Sequence, residues 1–148
     1  MKQILKFFRV PPTDRYLLVK STFLLGVIRL GLSLLPLKRL LGLVGSVKHE
    51  LTEVSSAGNN ISSNQIVWAV EVASRYVPFA TCLTRALVVQ MLFAREGYPA
   101  HLCIGVAKSK DDRLEAHAWV ESEGRIVTGD LKDISRFNLL PQFEGERL

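Results

Sequence analysis

The sequence has few of the residues that build metal sites and disulfide frameworks. Its 148 residues include two cysteines and three histidines, with no CxxC pair and no other Cys/His cluster. Zinc sites need closely spaced Cys and His ligands, and disulfide-stapled domains need several paired cysteines. We therefore expect neither a metal nor another cofactor, and Cys103, which lies inside an apolar run, is expected to be a buried thiol.

Glycine-rich loops that cradle phosphates are also missing, because neither GxxxxGK(S/T) nor GxGxxG occurs. No secretory signal is recognisable, so a reducing cytoplasm is the expected compartment. The chain has no internal repeat, and 48% of its residues are hydrophobic, which excludes a disordered chain. Its length suits one domain with an appended element.

Acidic residues are scarce in the first third of the chain. Residues 1–50 carry nine Lys and Arg against two acidic residues, a net +7, whereas the remainder carries ten against twelve, a net −2. Such a basic region can meet nucleic acid, an anionic membrane surface or an acidic peptide. Aromatic residues are not interleaved with the basic ones as in single-strand binders, so we expect no nucleic acid partner. A membrane-peripheral location stays open.

Prolines divide this basic third into helices. Pro11-Pro12 ends a short amphipathic opening, and Thr13 or Asp14 can then cap a long helix that runs toward Pro36. Pro36 in turn fits the first position of a second helix.

The long helix raises the question of a membrane span. The stretch from Tyr16 to Leu35 has the roughly 20 residues that a span requires. Arg29 near its centre, together with Lys20, makes insertion of a lone helix costly. We favour a helix that packs on the domain, on a partner protein or on a membrane surface.

A polar, turn-rich segment at 53–61 is the best candidate linker. A third helix is expected to begin at Ser62 or Ser63, since Ser62 and Gln65 have the spacing of a capping box. The expected regions are therefore 1–52, which is helical, hydrophobic and basic, and 62–148.

The stretch from Val77 to Gly97, "VPFATCLTRALVVQMLFAREG", predicts the helix around which the second region is organised. Pro78 stops the preceding helix, Thr81 can act as the N-cap, and Gly97 supplies the C-terminal stop. Cys82 is then the first helical residue, where the positive end of the helix dipole favours a thiolate. The alternative is that Cys82 is a small buried hydrophobic residue.

After Gly97 the periodicity changes from helical to alternating. Strands are predicted at 100–108, 114–122 and 125–129. The tail from Lys132 is predicted to be irregular, with several apolar side chains over the core, namely Phe137, Leu139, Leu140 and Phe143.

The second and third strands frame a candidate acid–base pair. Glu123-Gly124 is a plausible two-residue hairpin loop, which pairs Ser122 with Arg125 and places His117 directly opposite Asp130. Opposed residues share a face, so the imidazole and the carboxylate could hydrogen-bond. The register must hold for this to be true. A half-buried sheet histidine and a turn aspartate are the alternatives.

A cysteine that opens a helix, followed by antiparallel strands with His and then Asp, is the order found in papain-like and transglutaminase-like enzymes. "VPFATCLTRALVVQMLFAREGYPAHLCIGVAK" and "LEAHAWVESEGRIV" closely resemble the leader-peptidase B proteins of lasso-peptide biosynthesis. These belong to the transglutaminase-like cysteine protease superfamily, and the resemblance covers Ile66 to Asp130. It implies an α+β fold, with N-terminal helices followed by a papain/transglutaminase-like core in which the Cys-bearing helix packs on an antiparallel sheet. Residues 62–148 would then form the protease domain.

The resemblance also implies roles for the site residues. Cys82 would be the nucleophile, His117 the general base and acid, and Asp130 the residue that orients His117, with Asp133 as the fallback acid. Family members remove the leader from a ribosomally made precursor peptide. This chain resembles the split form, which works with a separate leader-recognition protein and an ATP-dependent macrolactam synthetase.

The oxyanion donors are less defined than the nucleophile. The backbone N–H of Cys82 at the helix start is the natural first donor. Trp119 shares the face of His117 and could shield the site or contact substrate, although a core aromatic is the simpler reading. Candidates for a second donor are Trp68, Tyr76 and Gln65. Two other functions stay open, namely a transglutaminase-type acyltransferase and a non-catalytic scaffold for the cyclase.

Overall fold

The computed structural model describes residues 6, 8–36, 38–40, 42–43, 46 and 61–140. Within these residues the main helices are α1 (Pro12–Leu34), α2 (Ser63–Ser74) and α3 (Cys82–Glu96). The strands are β1 (His101–Lys108), β2 (Leu114–Ser122), β3 (Arg125–Thr128) and β4 (Asn138–Leu139), with a 3-10 turn at Ile134–Arg136. The sheet has the order β3-β2-β1-β4 and its neighbours pair antiparallel. The predicted α+β architecture, with a Cys-bearing helix on an antiparallel sheet, is confirmed.

Helix α1 begins one residue before the predicted caps. Pro11 is its N-cap and has no side-chain acceptor, while Pro12 at the first helical position lacks one of the amides that would need a partner. The prediction that Thr13 or Asp14 caps the helix was therefore wrong. The Asp14 carboxylate instead accepts a hydrogen bond from Nε2 of Gln65 at 3.1 Å, which ties α1 to α2.

One face of α1 packs against α2 and α3. Its buried residues are Leu17, Leu18, Ser21, Leu25 and Ile28. The helix ends at Leu34, as predicted, and the amides of Arg39 and Leu40 both donate to the Pro36 carbonyl, which starts the next helical turn. Almost all of the predicted linker at 53–61 lies outside the described residues, so the division between 1–52 and 62–148 stays a prediction.

The ends of α2 and α3 follow the sequence signals closely. Ser62 and Gln65 form the predicted capping box. Thr81 caps α3 by accepting from the amide of Thr84, so that Cys82 is the first helical residue. Gly97 ends the helix in the left-handed conformation at φ 79°. The local frame of the predicted nucleophile is therefore confirmed.

The sheet has two differently covered faces. Ile104 and Ala118 are paired across β1 and β2 and belong to the main core formed with the helices. Cys103 and Trp119 are also paired, but they point to the other face. A smaller cluster covers that face, formed by Cys103, Ala107, Trp119 and Phe137. The prediction that Cys103 is buried is confirmed.

The β2–β3 hairpin has the predicted loop but not the predicted register throughout. Glu123 and Gly124 have φ values of 51° and 77°, and Ser122 pairs with Arg125 as expected. A bulge between Val120 and Glu121 then shifts the pairing, so that Val120 lies opposite Thr128. The extra residue moves every later position of β3 by one. The prediction that His117 lies directly opposite Asp130 was therefore wrong, and Asp130 lies beyond the end of β3.

The tail is more ordered than the sequence indicated. β4 pairs with β1 through Gly105 and Val106, and the amide of Leu140 donates to Ile104. Phe137 is buried and Leu140 packs on the main core, whereas Leu139 is exposed. Phe143 lies outside the described residues.

Candidate active site

Cys82 lies at the start of α3 with its side chain half-buried against the main core. Its amide is one of the first four in the helix, which have no acceptor within the helix itself. An incoming carbonyl oxygen can therefore accept from this N–H. The roles of Cys82 as nucleophile and first oxyanion donor stay predictions.

The loop before Cys82 carries a strained residue. Phe79 has φ 60°, a left-handed value that is uncommon for a bulky side chain. Its ring is 79% exposed, and the Arg29 guanidinium of α1 lies 5.9 Å from the ring centroid.

His117 is oriented by a backbone carbonyl. Its Nε2 lies 2.6 Å from the oxygen of Gly129. Because a carbonyl oxygen can only accept, Nε2 carries the proton and donates it to this bond. The neutral ring then has its lone pair on Nδ1, which is the atom left to take a proton from a thiol.

Two aromatic rings fix the plane of the His117 ring. Trp119 stacks on it at 6.1 Å and 19°, and Phe137 lies at 5.6 Å. The predicted common face of His117 and Trp119 is confirmed. The indole N–H of Trp119 donates to Oε1 of Glu121 at 3.0 Å, so in this structure that donor is already used.

Two glycines make room for this arrangement. A Cβ on Gly105 would lie 2.9 Å from Cβ of Phe137 and 3.1 Å from the Trp119 ring. Gly129 has φ 80°, and a Cβ there would lie 2.6 Å from the Ala118 oxygen. Residues with a side chain would push Trp119 or the Gly129 carbonyl away from His117.

The two candidate acids have different surroundings. Asp133 forms an ion pair with Nε of Arg136 at 2.6 Å. Asp130 is exposed, and among the described residues its carboxylate has no hydrogen bond partner. It directly follows Gly129, whose carbonyl holds the imidazole. In this structure Nε2 of His117 therefore bonds to the main-chain carbonyl of Gly129 and not to the carboxylate that the sequence predicts.

The site residues form two half-sites. The first is Cys82 at the start of α3, on the side of the sheet that packs against the helices. The second is His117 with Trp119, Phe137 and Gly129 on the other face. Within the described part of the chain no hydrogen bond joins Cys82 to His117.

A polar cluster at the first turn of α3 was not predicted. Oε2 of Glu71 lies 3.3 Å from Nη1 of Arg85, and Oε1 of Glu71 accepts from the Thr128 hydroxyl at 3.1 Å. This carboxylate therefore joins α2, the first turn of α3 and the end of β3. Because Glu71 and Thr128 are 57 residues apart, no local pattern signals the contact.

Of the three candidates for a second oxyanion donor, one is hydrogen-bonded elsewhere and two are exposed. Gln65 uses its side chain in the capping box and in the bond to Asp14. Trp68 and Tyr76 are exposed and line a groove between α1 and α2. Among the described residues, no group of three or more His, Cys, Asp or Glu is arranged to hold a metal ion.

The elements and their order are consistent with a transglutaminase-like α+β core. A family model described as the transglutaminase-like superfamily matches residues 18–141, from within α1 to the residue after the described tail. The chain therefore belongs to the transglutaminase-like superfamily, which includes cysteine proteases and acyltransferases. Comparison with curated proteins gives no match, and comparison with solved structures gives none either.

Proposed function

We propose that the protein is a cysteine peptidase that removes the leader from a ribosomally made lasso-peptide precursor. The observation that carries the proposal is Cys82, half-buried at a capped helix start within a transglutaminase-like fold. The resemblance of the Cys82 and His117 blocks to leader-peptidase B proteins supports the substrate class.

The proposed reaction is an acyl transfer from peptide to thiol and then to water. The Cys82 thiolate attacks the carbonyl at the end of the leader while Nδ1 of His117 holds the thiol proton. The C–N bond breaks, His117 gives its proton to the leaving amine of the core peptide, and a thioester remains on Cys82. Water, deprotonated by His117, then releases the leader as a carboxylic acid.

The proposed reaction requires Nδ1 of His117 to reach the Cys82 thiol, and within the described residues no hydrogen bond joins the two side chains. The Nε2–H of His117 points at the Gly129 carbonyl, and the Asp130 carboxylate is one residue further along the chain. We propose that Asp130 takes over this N–H when His117 becomes an imidazolium, since a carboxylate stabilises that cation better than a carbonyl does.

The proposed partners follow from the same resemblance. They are the precursor peptide, a separate small protein that grips the leader, and an ATP-dependent macrolactam synthetase that closes the ring afterwards. The cytoplasm is the proposed compartment for all of them.

The test incubates the full chain with a lasso-peptide precursor and a leader-binding protein and follows the products by mass spectrometry. Cys82→Ala should reduce cleavage by about 10³-fold or more, because the nucleophile is lost. Cys103→Ala is the matched comparison: it removes the buried cysteine of the cluster that holds His117, and it should lower cleavage far less than Cys82→Ala does. Cleavage by Cys82→Ala at the parent rate would contradict the proposal.

Two other functions have a specific observation in their favour. Superfamily membership also fits an acyltransferase, which would leave a leader cross-linked to an amine rather than a free acid in the same spectra. The separation of Cys82 from His117 fits a non-catalytic scaffold for the cyclase. A scaffold predicts slow alkylation of Cys82 by iodoacetamide near neutral pH, whereas an activated thiolate reacts fast.

A further inference from the structure

The side of α1 that faces away from the domain is apolar along its whole length. Six large apolar side chains are between 49% and 72% exposed, namely Tyr16, Val19, Phe23, Val27, Leu30 and Leu34. They are spaced three or four residues apart, so they form one stripe, here called the α1 outer face. It lies opposite the buried side of the helix. Soluble monomers rarely expose an apolar patch of this extent.

An apolar groove continues the α1 outer face toward α2. It has a volume of about 780 Å³ and is lined by Val19 and Phe23 of the outer face together with Trp68, Val72 and Tyr76. Trp68 and Tyr76 are themselves exposed. Aromatic residues with one polar atom are favoured where an apolar phase meets water.

The charges around this surface are basic. On a helix with 3.6 residues per turn, Lys20 and Arg15 lie on the two sides of the outer face, where long side chains can extend their charges past an apolar layer. Lys38 and Arg39 follow the helix and are exposed. Residues 1–50 carry a net +7, and Asp14 within α1 is bonded to Gln65.

The basic charges indicate which kind of partner covers the α1 outer face: a second copy of the chain or a lipid surface. Two copies of the chain that met through this face would bring two regions of net +7 together, which is unfavourable. An anionic lipid surface offers apolar depth and complementary charge together. The helix is long and apolar enough to cross a membrane by length and composition. A span, however, would strip Leu17, Leu25 and Ile28 from the core.

We propose that the α1 outer face, with Trp68 and Tyr76, docks on an anionic lipid surface, with α1 lying in the plane of the membrane. The apolar side chains enter the boundary between headgroups and acyl chains, and the basic residues meet the phosphates. The proposal does not depend on the peptidase function, because Cys82 and His117 take no part in it.

The test is flotation of the full-length protein with vesicles of phosphatidylcholine alone or mixed with phosphatidylglycerol. Binding is expected to the mixed vesicles, to be weaker to phosphatidylcholine alone, and to fall as salt is added. Emission from Trp68 should shift to the blue on binding, and Trp68→Phe should remove that shift because Trp119 is buried.

Two sets of variants locate the surface. Phe23→Ser with Leu30→Ser should weaken binding by about tenfold or more, because two exposed apolar side chains that would enter the lipid are lost. Leu114→Ser is the matched control, since Leu114 is also an exposed hydrophobic residue but lies on β2. Lys38→Glu with Arg39→Glu changes only exposed positions. It should weaken binding to the mixed vesicles and leave binding to phosphatidylcholine vesicles unchanged.

Each of the following results would overturn the proposal: no binding to mixed vesicles, unchanged binding by both variant pairs, or association that resists carbonate extraction. If the parent protein does not bind vesicles but forms a dimer, and Phe23→Ser with Leu30→Ser makes that dimer dissociate, a second copy of the chain covers this face instead.

Discussion

The two faces of the sheet are built differently, although the same strands contribute to both. The helix side joins Leu102, Ile104, Ala118 and Val120 to three helices and forms the main core. The other side has four buried members, to which Ile126 and Ile134 add partly buried contacts. Cys82 packs against the main core, and His117 is held by the smaller cluster.

This difference separates stability from catalysis in the proposed enzyme. Removal of contacts on the helix side should lower the free energy of unfolding strongly, because many residues share that core. Contacts on the other side are fewer, but they set the direction of the imidazole. A change there should lower the rate of cleavage more than the stability.

The largest expected effect compares two phenylalanines, one from each side. Phe93 is fully buried in the main core, so Phe93→Ala should lower the free energy of unfolding by about 4 kcal/mol. Phe137→Ala should lower it by about 2 kcal/mol, because its smaller cluster can relax. Urea denaturation measures both values.

The cleavage rate of each variant is measured at urea concentrations well below its unfolding midpoint, where it is folded. Under these conditions Phe137→Ala should lower the rate more than Phe93→Ala does. Equal losses of activity at equal fractions folded would contradict the division between the two faces.

A second prediction concerns the turn that holds His117. Gly129→Ala combines a left-handed backbone with a close approach to the Ala118 oxygen, and should cost about 2–3 kcal/mol of unfolding free energy. Gly124→Ala is the control, since Gly124 also has a positive φ but nothing lies near its Cβ position. It should cost about 1 kcal/mol.

Of these two variants, Gly129→Ala alone should also lower the cleavage rate, because it displaces the carbonyl that holds the His117 ring. Similar stability and activity for both alanine variants would show that the close approach at Gly129 has no consequence.

The smallest expected effect lies outside the sheet, at Lys20 of α1. Burial lowers the pKa of Lys20 to about 8, with a further lowering by the nearby charge of Arg95 and a partial offset by Glu96. Below pH 8 the side chain is charged in both the folded and the unfolded chain, and the folded state carries the desolvation cost. As the pH rises from about 8 toward 10.5, the folded state loses its proton first and this cost disappears.

Lys20→Met should therefore raise the free energy of unfolding by about 1 kcal/mol at pH 7, a value reduced for the solvent screening of a half-exposed charge. The gain should shrink to zero near pH 10.5, the ordinary value for lysine. Lys38→Met, at an exposed position, should show no such dependence. If the gain in unfolding free energy of Lys20→Met stays constant from pH 7 to 10.5, it does not come from the lowered pKa of Lys20.

Short-range signals in the sequence predicted the local structure around Cys82 well. Thr81, Cys82 and Gly97 are the cap, first residue and stop of α3, and each acts through atoms a few residues away. The Glu123-Gly124 loop was equally predictable, because positive φ at both positions has a strong residue preference.

Features that depend on tertiary packing were not predictable. The bulge opposite Val120 leaves no mark on the alternation of β3, and it is this bulge that moves Asp130 away from its expected position. The two residues of β4 are too few for a pattern, although they close the sheet edge beside His117. The contact of Glu71 with Thr128 joins segments that only the folded chain brings together.

The outermost strands of the sheet have a consequence for how a peptide can be held. Within the described residues, β3 has four residues and β4 has two, so β3 pairs with only three residues of β2 and β4 with only two of β1. The rest of the outer edges of β1 and β2 therefore has no strand partner among the described residues. These are the edges at which we expect that an extended peptide can pair by strand addition.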